Sequence, residues 1–239
     1  MERFSKTDLT ITAVIPARGG SKGVLRKNVS LVGGKPLIAW SIEVAKRCKM
    51  VDRVVINTDD EEIAQVARAY GAEVPFMRPS ELAQDDTPVF EALNYGLDFF
   101  DSEGYSSTHT LQLNPTSPLR TVQHLDKAID LLVKHQSDSV VTVTEAHTHP
   151  YWCKKINQKG ELSDFLPEGP DKYKIRQQLP TVYALNGSIF LISNDLVRKN
   201  TYYTENTVPL VMTADHSLDI DTPWEMYLAN LVLTDRSSS

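Results

Sequence analysis

The chain has 239 residues, 41% of them hydrophobic, with a formal net charge of -6 and two cysteines. That length buries one substantial core, and a net negative charge excludes broad nucleic-acid binding, which needs an extended basic surface. No apolar run reaches the roughly 18 residues of a membrane span, the polar residues 1–6 hold no signal-peptide core, and Cys48 and Cys153 lack metal-ligand spacing, so a cytoplasmic protein with reduced thiols, no membrane contact and no structural zinc is expected.

Residues 11–17 are short, apolar and partly β-branched, which predicts a buried strand. A glycine-rich loop follows, and Pro36 opens a helix to about residue 48. Residues 54–58 predict a second buried strand, and Asp59 and Asp60 begin a helix that Gly71 ends. A short strand at 73–76, a helix at 87–100, a strand at 110–113, a helix at 122–135 and a strand at 139–144 complete the first part. The alternation then breaks between 147 and 179, which read as a hairpin followed by a Pro/Gly/Lys-rich loop. A two-stranded arm is marginal alone in water, so it is expected to pack on a partner subunit. Strands at 181–192 and 207–212 and a helix at 223–233 close the fold, with a frayed end at 236–239.

Strands alternating with helices predict an open, largely parallel sheet covered on both faces. The core is expected at 1–146 and 180–239, with 147–179 as an inserted arm. Sites in such sheets lie outside the carboxyl ends of the strands. The basic loop, Asp59 and the segment 114–120 all leave such ends and should share one crevice.

Residues 15–28 read IPARGGSKGVLRKN, and no acidic residue falls between Asp8 and Glu43. Gly19, Gly20 and Gly23 allow tight turning and close approach of main-chain N–H groups to a ligand. Arg18, Lys22, Arg26, Lys27 and Lys35 add charge-assisted donors, the combination a triphosphate requires. The plain alternative is a solvated basic turn. Neither a Walker loop nor a dinucleotide fingerprint is present, because the spacing fits neither and the helix waits until Pro36.

A second constellation is SLDIDTP at 217–223, where Asp219 and Asp221 sit two apart in an extended segment and point to one side. Paired carboxylates suit Mg²⁺ bridging to phosphates; the alternative is that Asp221 or Thr222 merely caps the helix begun at Pro223. Arg176, Gln178, Tyr183 and Asn186 form a dense set of donors suited to a polyhydroxylated acid, unless Asn186-Gly187 is only a hairpin turn. Arg78, in RPSELAQDDT, either faces a ligand or pairs with Glu81 or Asp85.

At these residues the chain resembles the CMP-sialic acid synthetases, the N-acylneuraminate cytidylyltransferases. IPARGGSK…RKN, RPSELAQDDT, NPTSPLR, RQQLP…LNGSIF and SLDIDT occur in the family's order. The resemblance implies a three-layer α/β/α nucleotidyltransferase fold with a protruding dimerisation arm. It implies an enzyme that makes a CMP-sugar and pyrophosphate from CTP and a nine-carbon 2-keto acid with Mg²⁺. By motif position, Arg18, Gly20, Lys22, Lys27 and Asn28 should hold the triphosphate and ribose, and Arg78, Asp85 and Thr87 should face the cytosine. Asn114, Arg176, Gln178 and Asn186 should meet the sugar acid, Asp219 and Asp221 the magnesium, with Lys22 and Asp221 as catalytic candidates. Asn114 replaces the family's usual Gln, and Val89 stands where some members have a nucleotide-contacting Ser. Tyr202 and Tyr203 replace a Phe pair beside the sugar's acyl group, or merely cover the core edge; legionaminic or pseudaminic acid is the alternative substrate. A nucleotide-sugar glycosyltransferase and a non-catalytic nucleotide sensor are the rival readings.

Overall fold

The computed structural model describes residues 4–20, 23–166 and 175–238, without the side chains of Arg176, Ser237 and Ser238. Lys22 and residues 167–174, part of the expected arm, lie outside the described residues. The elements in chain order are β1 (Ile11–Pro16), the two-residue strands β2 (Leu31–Val32) and β3 (Lys35–Pro36), α1 (Leu37–Arg47), β4 (Arg53–Asn57), α2 (Glu61–Ala69), α3 (Val89–Ser102), β5 (His109–Gln112), α4 (Val122–His135) and β6 (Ser139–Glu145). They continue with β7 (Lys154–Ile156), β8 (Leu162–Asp164), β9 (Tyr183–Ser193), α5 (Asn194–Arg198), β10 (Thr207–Val211) and α6 (Pro223–Ser238).

Six strands form one sheet in the order β10-β6-β9-β5-β1-β4. β1 pairs parallel with β4 and β5, and β10 parallel with β6, while β9 runs antiparallel to both its neighbours. The alternation in β1 sorts its side chains between two cores. Ile11, Ala13 and Ile15 join Ile38 and Ile42 of α1, Ile63 of α2 and Ile129 of α4 on one face. Val14 meets Phe90, Leu93 and Leu97 of α3 and Leu196 and Val197 of α5 on the other. This is a three-layer α/β/α arrangement. A third cluster docks α6 through Ala229 and Leu233 onto Val32 and Leu37, bringing the carboxyl-terminal part of the chain beside the glycine loop.

Three expectations are corrected and one alternative is set aside. The strand expected at 73–76 is one bridge, Glu73 to Val55, because the chain meets the edge of β4 only once before turning away. Asn186-Gly187 is no hairpin turn: both lie inside β9, where pairing with β6 shifts register between Val141 and Val143 and Gly187 takes a φ of 66°. α5 was not expected, and its five residues are too few to show helical periodicity. The end expected to fray at 236 instead continues α6, and Arg236 Nη2 donates to the Asp215 carbonyl at 3.2 Å.

Candidate active site

The carboxyl ends of β1 and β5 open onto a cleft of about 290 Å³, lined by Arg18, Gly23, Lys27, Asn28, Asn114, Thr116 and Asp221 among others. The glycine loop forms one wall. Asn28 donates through Nδ2 to the Arg18 carbonyl at 3.0 Å, tying the loop's exit to its entry, and the Gly19 N–H donates to Asp59 Oδ1 at 3.1 Å. Lys27 Nζ donates to the Ile220 carbonyl at 2.6 Å and stands 3.4 Å from Asp221 Oδ1. The loop and Asp221, almost two hundred residues apart in the chain, therefore face one cavity.

The Asp pair is left free by the helix that follows it. Glu225 accepts from the N–H groups of Asp221 and Thr222 at 2.8 and 2.7 Å, and Thr222 Oγ1 accepts from the Glu225 N–H at 3.4 Å. Thr222 and Glu225 thus form the capping box of α6, and Asp221 does not cap. Its carboxylate is 74% exposed. Asp219 is mostly buried, and its Oδ1 has no hydrogen-bond partner among the described residues. Burial raises its pKa and the Asp221 charge adds to this, while a Thr116 hydrogen bond and the charges of Lys27 and Arg120 oppose it. A buried, unpartnered carboxylate oxygen beside a second carboxylate suits a hard divalent cation, which would meet it with charge. Among the described residues no cluster of three or more His, Cys, Asp or Glu side chains could hold a metal, so other ligands would come from water and phosphate.

A second cleft, of about 310 Å³, shares Pro16 and Arg18 with the first and is lined by Arg78, Gln84, Asp85, Thr87 and Val89 among others. Arg18 Nη1 lies 2.8 Å from Asp85 Oδ1 and donates to the Gln84 carbonyl at 3.1 Å. Arg78 is buried and pairs with neither Glu81 nor Asp85: its Nη2 is 3.4 Å from Asp59 Oδ1, and its Nε has no partner among the described residues. Desolvation pulls its pKa down and Asp59 holds it up. Thr87 Oγ1 donates back to the Glu81 carbonyl at 3.2 Å, bracing that wall.

The residues expected to meet a sugar acid divide into two groups. Asn114 lines the first cleft, with both ends of its amide engaged: Nδ2 donates to the Gly187 carbonyl at 2.9 Å and Oδ1 accepts from Gln112 Nε2 at 2.9 Å. Gln112 Oε1 accepts in turn from the Tyr202 hydroxyl at 2.8 Å, and the Tyr202 ring packs against Phe90 and Phe190 at centroid distances of 4.5 and 4.3 Å. Burial pushes the Tyr202 hydroxyl up to about 12. Asn186 is buried, with Nδ2 donating to Ser217 Oγ at 3.0 Å and Oδ1 accepting from the Ser188 N–H at 3.2 Å. Gly187 approaches Asp219 closely enough that a Cβ would sit 3.2 Å from Oδ2. Asn114 and Asn186 therefore brace the floor under the Asp pair. Tyr183, Tyr203 and Gln178 are exposed and line neither cleft, and the Arg176 side chain lies outside the described ones.

Three contributors escaped the residue-by-residue reading. Gln112 is hidden in an ordinary strand sequence. Arg120 is buried beneath the 114–120 loop, donating through Nε to the Ser117 carbonyl at 3.1 Å and through Nη2 to the Asn114 carbonyl, and burial lowers its pKa to about 9. Its presence in NPTSPLR was the only available signal. Asp59, which receives both Gly19 and Arg78, was placed only as a strand-end neighbour.

A sequence-family model described as Cytidylyltransferase matches residues 12–209. The CMP-N,N'-diacetyllegionaminic acid synthase of Legionella pneumophila is 35% identical over 227 residues, which is 94% of this chain and 97% of that protein. The N-acylneuraminate cytidylyltransferase of Escherichia coli O18:K1:H7 is 33% identical over 223 residues, covering 92% of this chain and 51% of that longer protein. Among solved structures, a CMP:2-keto-3-deoxy-manno-octonic acid synthetase complexed with CTP superposes with a TM-score of 0.70 over 95% of this chain and 99% of that one, at 16% identity, a likeness of fold alone. With a family model across most of its length and a relative aligned nearly end to end, the chain belongs to the cytidylyltransferases of the CMP-sialic acid synthetase family.

Proposed function

We propose that this protein transfers the cytidylyl group of CTP to a nine-carbon 2-keto sugar acid of the N-acylneuraminate type, releasing pyrophosphate. The observation that carries this reading is the meeting of Lys27 with Ile220 and Asp221 over one cleft, cation loop against acidic pair. The sugar's anomeric hydroxyl attacks the α-phosphorus, the bond to the bridging oxygen breaks, and pyrophosphate leaves with the electron pair. Lys27 and the main-chain N–H groups of the loop, Gly20 included, neutralise charge on the transferring and leaving groups. Lys22 joins them by its motif position. Asp219 and Asp221 would hold Mg²⁺, which when bound supplies charge neutralisation for the phosphates. Asp221 is our candidate to accept the hydroxyl proton, its exposed carboxylate supporting that role. Arg18, Arg78, Asp85 and Thr87 shape the second cleft for the base.

A second reading, the same transfer to legionaminic acid, is favoured by the near full-length alignment with the legionaminic acid synthase. Pyrophosphate release with CTP against N-acetylneuraminic, legionaminic, pseudaminic and 2-keto-3-deoxy-manno-octonic acids decides between the two. Release with none of the four would overturn the reading in favour of a nucleotide sensor, and CMP-sugar consumption in their place would favour a glycosyltransferase.

The proposed assembly is a homodimer joined through the arm. Ile156, Leu162 and Phe165 of the hairpin are 72, 71 and 60% exposed, apolar surface that a two-stranded ribbon cannot cover alone. Light scattering should give twice the chain mass, and Ile156→Asp with Leu162→Asp should halve it. Among the described residues no helix is long and apolar enough to cross a membrane; a cytoplasmic location is part of the same proposal.

A further inference from the structure

Arg26 is read in the sequence as one more cation of the phosphate loop, yet it lines neither cleft and its side chain is engaged by Asp60 and Glu62. Nη1 donates to Asp60 Oδ2 at 2.5 Å and Nη2 to Asp60 Oδ1 at 3.1 Å, a two-pronged pair, and Nη2 also reaches Glu62. The main chain of Arg26 is equally committed. Its φ of 54° and ψ of 30° lie in the left-handed region, unfavourable for a residue bearing a Cβ. Its carbonyl accepts from the N–H groups of Val29 and Ser30 at 3.1 and 3.2 Å and from Ser30 Oγ at 3.1 Å, so this strained residue starts the short helical turn that carries Lys27 and Asn28.

Asp60 is rigidly placed to receive the guanidinium. Its Oδ1 accepts from the Ile63 N–H at 3.0 Å as the cap of α2, and a Cβ on Gly19 would fall 2.6 Å from its Oδ2. The carboxylate therefore meets both the entry and the exit of the glycine loop. Of the next two residues after Arg26, Lys27 reaches across the cleft to Ile220 and Asp221, and Asn28 ties the loop's exit back to the Arg18 carbonyl.

We propose that Arg26 is a positioning residue for the triphosphate site: clasped to Asp60, it holds the loop's exit in its strained turn so that Lys27 and Asn28 face the cleft. This rests on the CTP reading given above. It assigns Arg26 no contact with the nucleotide.

The test is a double-mutant cycle of Arg26→Ala, Asp60→Asn and the pair, with Arg26→Lys alongside; the amide oxygen introduced by Asp60→Asn keeps an acceptor for the cap of α2. Hydrogen exchange of the unliganded protein, KM for CTP, kcat and the calorimetric Kd for CTP with Mg²⁺ are read together. In Arg26→Ala the amides of residues 23–30 should exchange about tenfold faster while melting temperature holds. KM and Kd for CTP should rise about tenfold with kcat within about threefold, the double variant should be no worse than the poorer single, and Lys should recover only part, lacking the second prong. Multiplying losses in the double variant would overturn the proposal, because Arg26 would then be touching CTP itself. Unchanged exchange and unchanged CTP affinity in the single variants would overturn it as well. A wild-type protein that binds CTP but releases no pyrophosphate with any nonulosonic acid would sink the functional reading alone, since exchange and Kd still report on the clasp.

Discussion

Gly23 offers the sharpest perturbation of the cleft. A Cβ built there would lie 2.0 Å from the Asp221 carbonyl oxygen and 3.2 Å from its carbon. Both are main-chain atoms, so no side chain can rotate aside. Because real Cβ contacts essentially never fall under 3.0 Å, the glycine loop and the Asp221 segment must separate by about 1 Å in Gly23→Ala. That gap opens between Lys27 and Asp221, whose 3.4 Å approach brings the two halves of the site together. A misplacement of about 1 Å costs on the order of 100-fold in rate, equivalent to about 2.7 kcal/mol of transition-state stabilisation. The position is exposed, so the melting temperature should change little. Pyrophosphate release with CTP and the preferred sugar acid, measured over both substrates, reads kcat/KM directly. A variant within about threefold of wild type (under ~0.7 kcal/mol) would refute the argument that contact between loop and acidic segment organises the site.

Other perturbations separate roles that the geometry assigns. Asp219→Asn removes a charge that burial and Asp221 both disfavour, so melting temperature should hold or rise while half-activating Mg²⁺ increases by about tenfold or more; lost stability with unchanged Mg²⁺ demand would make Asp219 structural. Tyr202→Phe strips the donor from buried Gln112 and should cost about 1–3 kcal/mol of stability in denaturant titration, with KM for the sugar acid rising more than KM for CTP because Asn114 loosens. His109 is buried and its pKa is lowered by that burial from 6.5 to about 4, so between those pH values the unfolded chain binds the extra proton and stability falls as pH falls. From pH 7 to pH 5 this one group should remove about 2 kcal/mol from the unfolding free energy, and His109→Gln should flatten that part of the profile; an unchanged slope would place the titration elsewhere.

Much of this architecture is legible in the one-dimensional pattern. Alternation in β1 between Ile11, Ala13 and Ile15 on one side and Thr12 and Val14 on the other marks a strand with two covered faces, and the turn chemistry at Gly71 marks the end of α2. Short elements without a full period were not readable: α5 has five residues, and the contact of Glu73 is a single bridge. The register shift at Asn186-Gly187 could not be told from a turn, because a glycine with positive φ serves both and only pairing with β6 decides which.

For the site itself, residue types and order determined the chemistry class: a glycine-rich cationic loop, a spaced Asp pair, and five motifs in one succession. Tertiary structure decided which of those charges are free to act. Lys27 lines the cleft while Arg26 is bound to Asp60, although they are adjacent and equally cationic. Thr222 does the capping work that leaves Asp221 free, and Asn186 is spent beneath the surface. The reason is physical: a polar side chain's role is set by which partner removes its desolvation cost. For Lys27, Arg26 and Asn186 the partner is brought near only by folding, from as far as 194 positions along the chain.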